Sequence, residues 1–152
     1  MTVGLWKRNV IGAAVSAAAL AVGATLILQP AWDGYRQTVR PTHIAAPDQP
    51  ITVDGQTWTV RNVSRSTRQP GSNASLPEGT VLVNVLVERA GPSLAGSGCW
   101  AYLVAGERMW RGTGPCGEAT SMPMRFLVPA DTEPSAVDIR NVKGSILVRL
   151  QL

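Results

Sequence analysis

The chain is poor in the groups that usually carry chemistry. Its 152 residues include one histidine, His43, and two cysteines, Cys99 and Cys116. A serine or cysteine triad needs a histidine base beside its nucleophile. His43 falls in a proline-rich stretch expected to lie outside the folded domain, so that route is poor. Zinc needs three or four Cys, His or carboxylate ligands, and two cysteines with one remote histidine do not supply them. Met122-Pro123-Met124, with Met109, could offer thioethers to Cu(I). The spacing of two is also what one face of a strand gives by default, and methionine fills cores readily. Asp131 and Glu133 stand two apart in a proline-flanked loop, a turn composition and not a glycosidase pair. No glycine-rich phosphate loop leads into a helix, and Gly112-Thr113-Gly114-Pro115 reads as a plain loop. These absences leave no catalytic residue, no cofactor and no metal site to assign, and the expectation is a non-enzymatic protein. No cysteine precedes Cys99, so none is available for lipid attachment near the start of the chain.

What the chain does have is one long uncharged run. Val10 to Leu28 is nineteen residues without a charge, preceded by Lys7-Arg8. Nineteen helical residues rise roughly 28 Å, close to the hydrocarbon thickness of a bilayer. A lone span must pair its own backbone groups in lipid, which selects a helix. Trp6 on one side, and Trp32 and Tyr35 on the other, suit the interfacial aromatic belt. Gln29-Pro30 is the expected stop. A cleaved signal peptide is the rival reading, but cleavage after Ala21 or Ala24 would leave the apolar Thr25-Leu26-Ile27-Leu28 as a new end. An uncleaved anchor is therefore expected, in contact with membrane lipid through residues 10–28. Gly12, Ser16, Ala19 and Gly23 fall at spacings of four, three and four, a small-residue stripe that would let helices approach closely. An alanine-rich span produces such stripes by chance as well.

The flanking charge is balanced, with Lys7 and Arg8 on one side and Arg36 and Arg40 on the other. The short N-terminus and the paired cysteines break the tie. The expected arrangement is residues 1–9 in the cytoplasm, a span over 10–28, a proline-rich tether over 29–50, and residues 51–152 as a folded domain outside. Beyond the anchor the chain carries twelve Lys+Arg against ten Asp+Glu. That small excess does not call for nucleic acid as a partner. An even cysteine count in an exported domain reads as a disulfide, here Cys99 to Cys116.

The outer part is patterned as strands. Ile51-Thr52-Val53 and Gln56 to Val60 flank Asp54-Gly55, which supplies the positive φ angles of a two-residue hairpin. Ser64 to Gly79 is a long polar loop. In Thr80 to Glu88, Val81, Val83, Val85 and Val87 share one face and Leu82, Asn84 and Leu86 the other, as in a central strand. Cys99 to Val104 and Arg108 to Trp110 form a second hairpin about Ala105-Gly106-Glu107. Met122, Met124, Phe126 and Val128 alternate with Pro123, Arg125 and Leu127, and Pro123 places that strand at an edge. Ala136 to Val142 and Ser145 to Leu152 make a last hairpin about Lys143-Gly144, with Ile146, Val148, Leu150 and Leu152 toward the core.

About seven or eight short strands in about 100 residues indicate an all-β, antiparallel sandwich. The run Ile51 to Val60, followed after a polar loop by Leu76-Pro77-Glu78-Gly79 and the valine-rich Thr80 to Val87, resembles the telokin-like, immunoglobulin-like domains of bacterial exported and membrane-anchored proteins. The likeness covers roughly residues 50–88. The chain departs from that pattern in its Cys99–Cys116 segment and in lacking an Asn-rich turn after the central strand. The resemblance implies an immunoglobulin-like fold and an envelope location, and brings no catalytic residues.

Two candidate contact sites remain. Arg61, Arg65 and Arg68 fall within eight residues and could bind anionic headgroups or an acidic partner, against the plainer reading of a solvated loop. Trp100 and Trp110 would form a docking surface if both project from the second hairpin, though tryptophan is more often buried. The expected function is a membrane-anchored extracytoplasmic binding or scaffolding module, partnered by another envelope protein. The alternative is a small-ligand or lipid carrier with a pocket between its sheets. A reporter that works only outside the cytoplasm should be active when fused after Leu152. Activity of a cytoplasm-restricted reporter at that position would reverse the topology.

Overall fold

The computed structural model describes residues 3–72, 74–92, 98–116 and 119–152. The expected loop over 91–98 falls mostly outside them. Contacts divide the chain into two units, residues 1–37 and 38–152.

The first unit is helical. Helix α1 runs Val3–Gly23, a π-helical turn covers Ala24–Leu28, and helix α2 runs Gln29–Val39. The stretch Asn9–Val39 is long and apolar enough to cross a membrane. The expected stop at Gln29-Pro30 does not occur. Pro30 lacks an N–H and its ring would meet the carbonyl four residues back. The π turn absorbs both problems: Gln29 N–H donates to the Ala24 carbonyl, five residues back, and the widened turn re-spaces the backbone ahead of the ring. Gly12, Ser16, Ala19 and Gly23 all lie within the unbroken α1, so their spacing does put them on one side of the helix.

The second unit is a β-sandwich. Among the described residues nine strands form two sheets: β1 (Ile44–Ala45), β2 (Ile51–Val53), β3 (Gln56–Ser66), β4 (Thr80–Ala90), β5 (Cys99–Ala105), β6 (Arg108–Arg111), β7 (Ser121–Pro129), β8 (Ala136–Asn141) and β9 (Ile146–Gln151). One sheet has the order β1-β9-β8-β5-β6 and the other β2-β3-β4-β7. The core between them is built from alternate residues of each strand. Trp58, Val83, Val85, Val87, Met122, Met124, Phe126 and Val128 come from the four-stranded sheet, and Ala101, Leu103, Val137, Ile139, Val148 and Leu150 from the other. The Asp54-Gly55 hairpin forms as its chemistry demands, with φ of 50° and 75°. Strand β4 lies between β3 and β7, and β7 is an edge strand.

Four expectations need correction. The tether is much shorter than residues 29–50, because its first eleven residues are helix α2 and Ile44–Ala45 is a strand. Strand β1 pairs parallel to β9, Ala45 is buried, and Arg149 N–H donates to the His43 carbonyl; the sandwich is therefore not wholly antiparallel, and His43 borders the domain. The polar loop begins later than Ser64, since β3 continues to Ser66. Residues 67–76 then fold back on themselves through the Arg68–Ser75 bridge and a Leu76 N–H bond to the Thr67 carbonyl. Finally, a bulge between Ile139 and Arg140 shifts the β8–β9 register. Ile146 is buried but pairs with Arg140, and Leu147 packs against the core cluster instead.

The two sheets are tied together beyond β6. Gly112 N–H donates to the Ala101 carbonyl, and Thr113 then exchanges two backbone bonds of 2.9 Å with Arg125 on β7. The chain thus steps from one sheet to the other. Gly112 lies flat on Phe126: a Cβ there would fall 2.5 Å from its ring, so only glycine permits the approach. Four residues on, Cys116 is disulfide-bonded to Cys99 at the start of β5, with Cα atoms 5.2 Å apart. The bridge closes a short loop and restricts the unfolded chain. Replacing both cysteines by alanine should lower stability by about 3 kcal/mol, measured by urea denaturation. A change below about 0.5 kcal/mol would mean that the backbone bonds alone hold this edge.

Candidate docking face

Alternation along the strands sends half the side chains of the five-stranded sheet outward. Cross-strand register then fixes which of them meet. Trp100 stands opposite Arg140, Tyr102 opposite both Asp138 and Arg111, and Asp138 opposite Arg149. Side chains directly opposite lie about 5 Å apart at Cβ, close enough to interact. The outer face of this sheet is consequently an aromatic and arginine layer, with Ile44 at one edge and Met109 at the other.

Its centre is Asp138. The residue faces outward, yet its side chain has no exposed surface. Arg149 grips it with two bonds, Nε to Oδ1 at 2.6 Å and Nη2 to Oδ2 at 2.8 Å. Arg140 Nη2 lies 3.5 Å from Oδ2. A carboxylate removed from water is tolerated only when paired and hydrogen-bonded in this way. The hydrogen bond to Asp138 raises the Arg149 pKa, against the lowering effect of burial, and the charge of Asp138 adds to the rise. Arg149 therefore stays charged throughout the accessible pH range, and its contribution would be lost only above the ordinary guanidinium range. Arg140 continues the layer, its guanidinium 5.1 Å from the Tyr102 ring and 3.3 Å from the Met109 sulfur.

Trp100 and Arg111 complete the layer toward β6. Trp100 is 43% exposed, and the Arg111 guanidinium lies 3.6 Å from its ring centroid, a close cation–π stack. The two expected docking tryptophans therefore separate. Trp100 projects outward, whereas Trp110 pairs with Leu103 and packs against the core. A cleft of about 370 Å³ opens beside Trp100, lined by Arg111, Thr113, the Cys99–Cys116 bridge and Met124 among others.

The arginine group reads differently from its sequence spacing. Arg61 sits on β3 at a bulge between Val60 and Asn62 and pairs with Glu88 at 2.6 Å. Arg65 donates to the Thr132 carbonyl at 2.6 Å. Glu88 and Thr132 lie toward opposite ends of β4, so the two guanidiniums point apart. Arg68 is further off, in the folded-back loop. Arg61 does line a polar cleft of about 380 Å³ with Thr57, Thr59, Glu88 and Thr120. The methionines also part: Met122 and Met124 are buried in the core, while Met109 is on the outer face.

Tyr102, Arg111, Asp138, Arg140 and Arg149 did not stand out in the sequence. Their one signal is position: each alternates with core residues on its strand, which marks it as outward-facing. That Asp138 would be buried follows only from the register that brings three strands together.

No known family matches the chain, and no curated protein matches it. Among solved structures, the chain is similar to an uncharacterized β-sandwich protein from Clostridium difficile 630, at 9% identity and a TM-score of 0.41, over 72% of this chain and 93% of that one.

Removing the Asp138 carboxylate should strand two partly buried guanidiniums. Asp138→Ala is expected to destabilise the domain by about 3 kcal/mol, read from urea denaturation of the purified protein. A loss under about 1 kcal/mol would show that the arginines are solvated without it.

Proposed function

We propose that the chain is a membrane-anchored binding or scaffolding module of the cell envelope. Its sandwich would be held outside the cytoplasm and would dock another envelope protein through the outer face of the five-stranded sheet. The observation that carries this reading is the exposed Trp100–Arg111 stack beside the Asp138 layer. Tryptophan and arginine are the residues most enriched where binding energy concentrates. An outer sheet face with no docking role needs neither a partly exposed indole nor a carboxylate withdrawn from solvent. The apolar Asn9–Val39 helix supports an anchor, and the Cys99–Cys116 bridge supports an oxidising compartment. The Asp54-Gly55 hairpin and the Pro77-Glu78-Gly79 turn leading into β4 support an immunoglobulin-like sandwich of the telokin-like kind.

The carrier reading retains one specific observation, the cleft beside Trp100, whose volume of about 370 Å³ suits a small ligand. Against it, the space between the sheets is filled by fully buried Trp58, Phe126, Leu103, Met122 and Ile139, which leaves the cleft at an edge.

A photo-crosslinking residue placed at Met109, on the outer face, should join the protein in native membranes to one discrete envelope protein. The same group at Leu127, outward on the other sheet, should not. Equal labelling from both positions, or a full-length protein that purifies alone and binds lipid one to one, would overturn the scaffold reading.

A further inference from the structure

The outer face carries three arginines, and they are not equivalent. Arg140 and Arg149 both address Asp138. Arg111 has one face on the Trp100 indole, and among the described residues no oxygen pairs with its guanidinium. Stacking on a ring covers a guanidinium's flat side and leaves its N–H groups pointing outward in the ring-parallel plane. They form a fork suited to two parallel bonds with a carboxylate. The cleft beside it supplies no competing acid among its described lining residues, where Arg111 is the one charge.

The strand that carries Arg111 has an open edge. Strand β6 ends its sheet. Gly112 N–H donates to Ala101, and hydrogen-bonded pairs alternate along an antiparallel ladder. With the register Leu103↔Trp110 and Ala105↔Arg108, Trp110 and Arg108 turn their backbone groups toward β5. Met109 and Arg111 then turn theirs away, to the side where no strand of the sheet lies. Among the described residues nothing bonds these outward groups, so the two residues offer four main-chain bonds to an incoming extended segment.

We propose that the β6 edge binds an extended acidic peptide segment of a partner protein. The segment adds a strand beside Met109 and Arg111, places one carboxylate on the Arg111 fork, and seats a neighbouring small apolar side chain in the cleft beside Trp100. Charge complementarity selects this occupant. The outer face sets three guanidiniums against the one carboxylate of Asp138, so it carries an excess of positive charge that matches an acidic segment, and Arg111 is the guanidinium that Asp138 does not engage. This inference rests on the docking reading above and narrows it to one edge and one chemistry.

The test uses the full-length protein in detergent and the fluorescein-labelled peptide KTVEVTK, followed by anisotropy. Saturable binding is expected. Replacing the peptide's Glu by Gln, or Arg111 by Gln in the protein, should weaken it by about tenfold. A proline scan of the peptide should weaken it by a similar factor at each residue whose N–H joins the ladder, and leave it unchanged at the alternate ones. Arg125→Gln, outward on the other sheet, should leave binding unchanged. A thermal melt of each variant separates lost binding from lost folding, and the peptide series needs no protein variant at all. Absence of saturation up to about 1 mM, binding indifferent to the Glu, or displacement by inorganic phosphate at lower concentration than by acetate would each overturn the proposal. If the Met109 crosslink still captures an envelope partner in that event, the docking reading stands and the acidic strand alone is rejected.

Discussion

A carboxylate with no exposed surface, on the outward side of an open sheet, constrains everything around it. A carboxylate buried there needs charged partners, and two arginines supply them, one from its own strand and one from β9. Arg149 must lie flat along the sheet to make two short bonds. Arg140 must turn toward Tyr102 and Met109. Both arginines are thereby held in place around one shared carboxylate, and the face acquires an ordered surface in place of a field of mobile side chains. Arg111 is left as the cation that this arrangement does not use. Fixed side chains lose less entropy on association, so a face organised in this way is better prepared to bind than a solvated one.

The remainder of the domain holds that face in place. Five strands can display the layer only if their inner sides are locked, which the alternating apolar residues of both sheets achieve. The step from β6 across Gly112 and Thr113 to β7 joins the sheets at the edge where Trp100 and Arg111 stand. The disulfide then fixes the segment that follows. At the opposite edge, the parallel pairing of Ile44–Ala45 with β9 brings the incoming chain alongside Arg149. The strand holding Asp138's main partner is thus flanked on both sides.

Much of the fold was legible because it depends on local pattern. The valine alternation of β4, the methionine and phenylalanine alternation of β7 and the Asp54-Gly55 turn each state their own geometry. The cysteine pairing followed from count and compartment. Features set by distant contacts were not legible. Strand β1 exists because β9 offers an edge, and its two residues carry no periodicity. The helix passes Pro30 because a π turn can form ahead of it, which no residue type announces. The Arg61 and Arg65 side chains lie four apart in sequence but are drawn to partners at opposite ends of β4. Trp100 and Trp110 look alike in sequence, and strand parity separates them. The Asp138 layer was the least legible feature. Each of its members reads as an ordinary solvated position, and only the register of β5, β8 and β9 makes them one structure.

On the proposed docking role, the β6 edge and its outward face are open in the isolated protein and covered in the membrane. Amide hydrogen exchange over residues 108–111 tests it most directly, comparing purified full-length protein with the same protein in native membranes. Met109 and Arg111 should exchange rapidly in the purified protein and slowly in the membrane, while Leu103 and Trp110 are protected in both. Protection of Met109 and Arg111 in the purified protein, or rapid exchange in both settings, would contradict it.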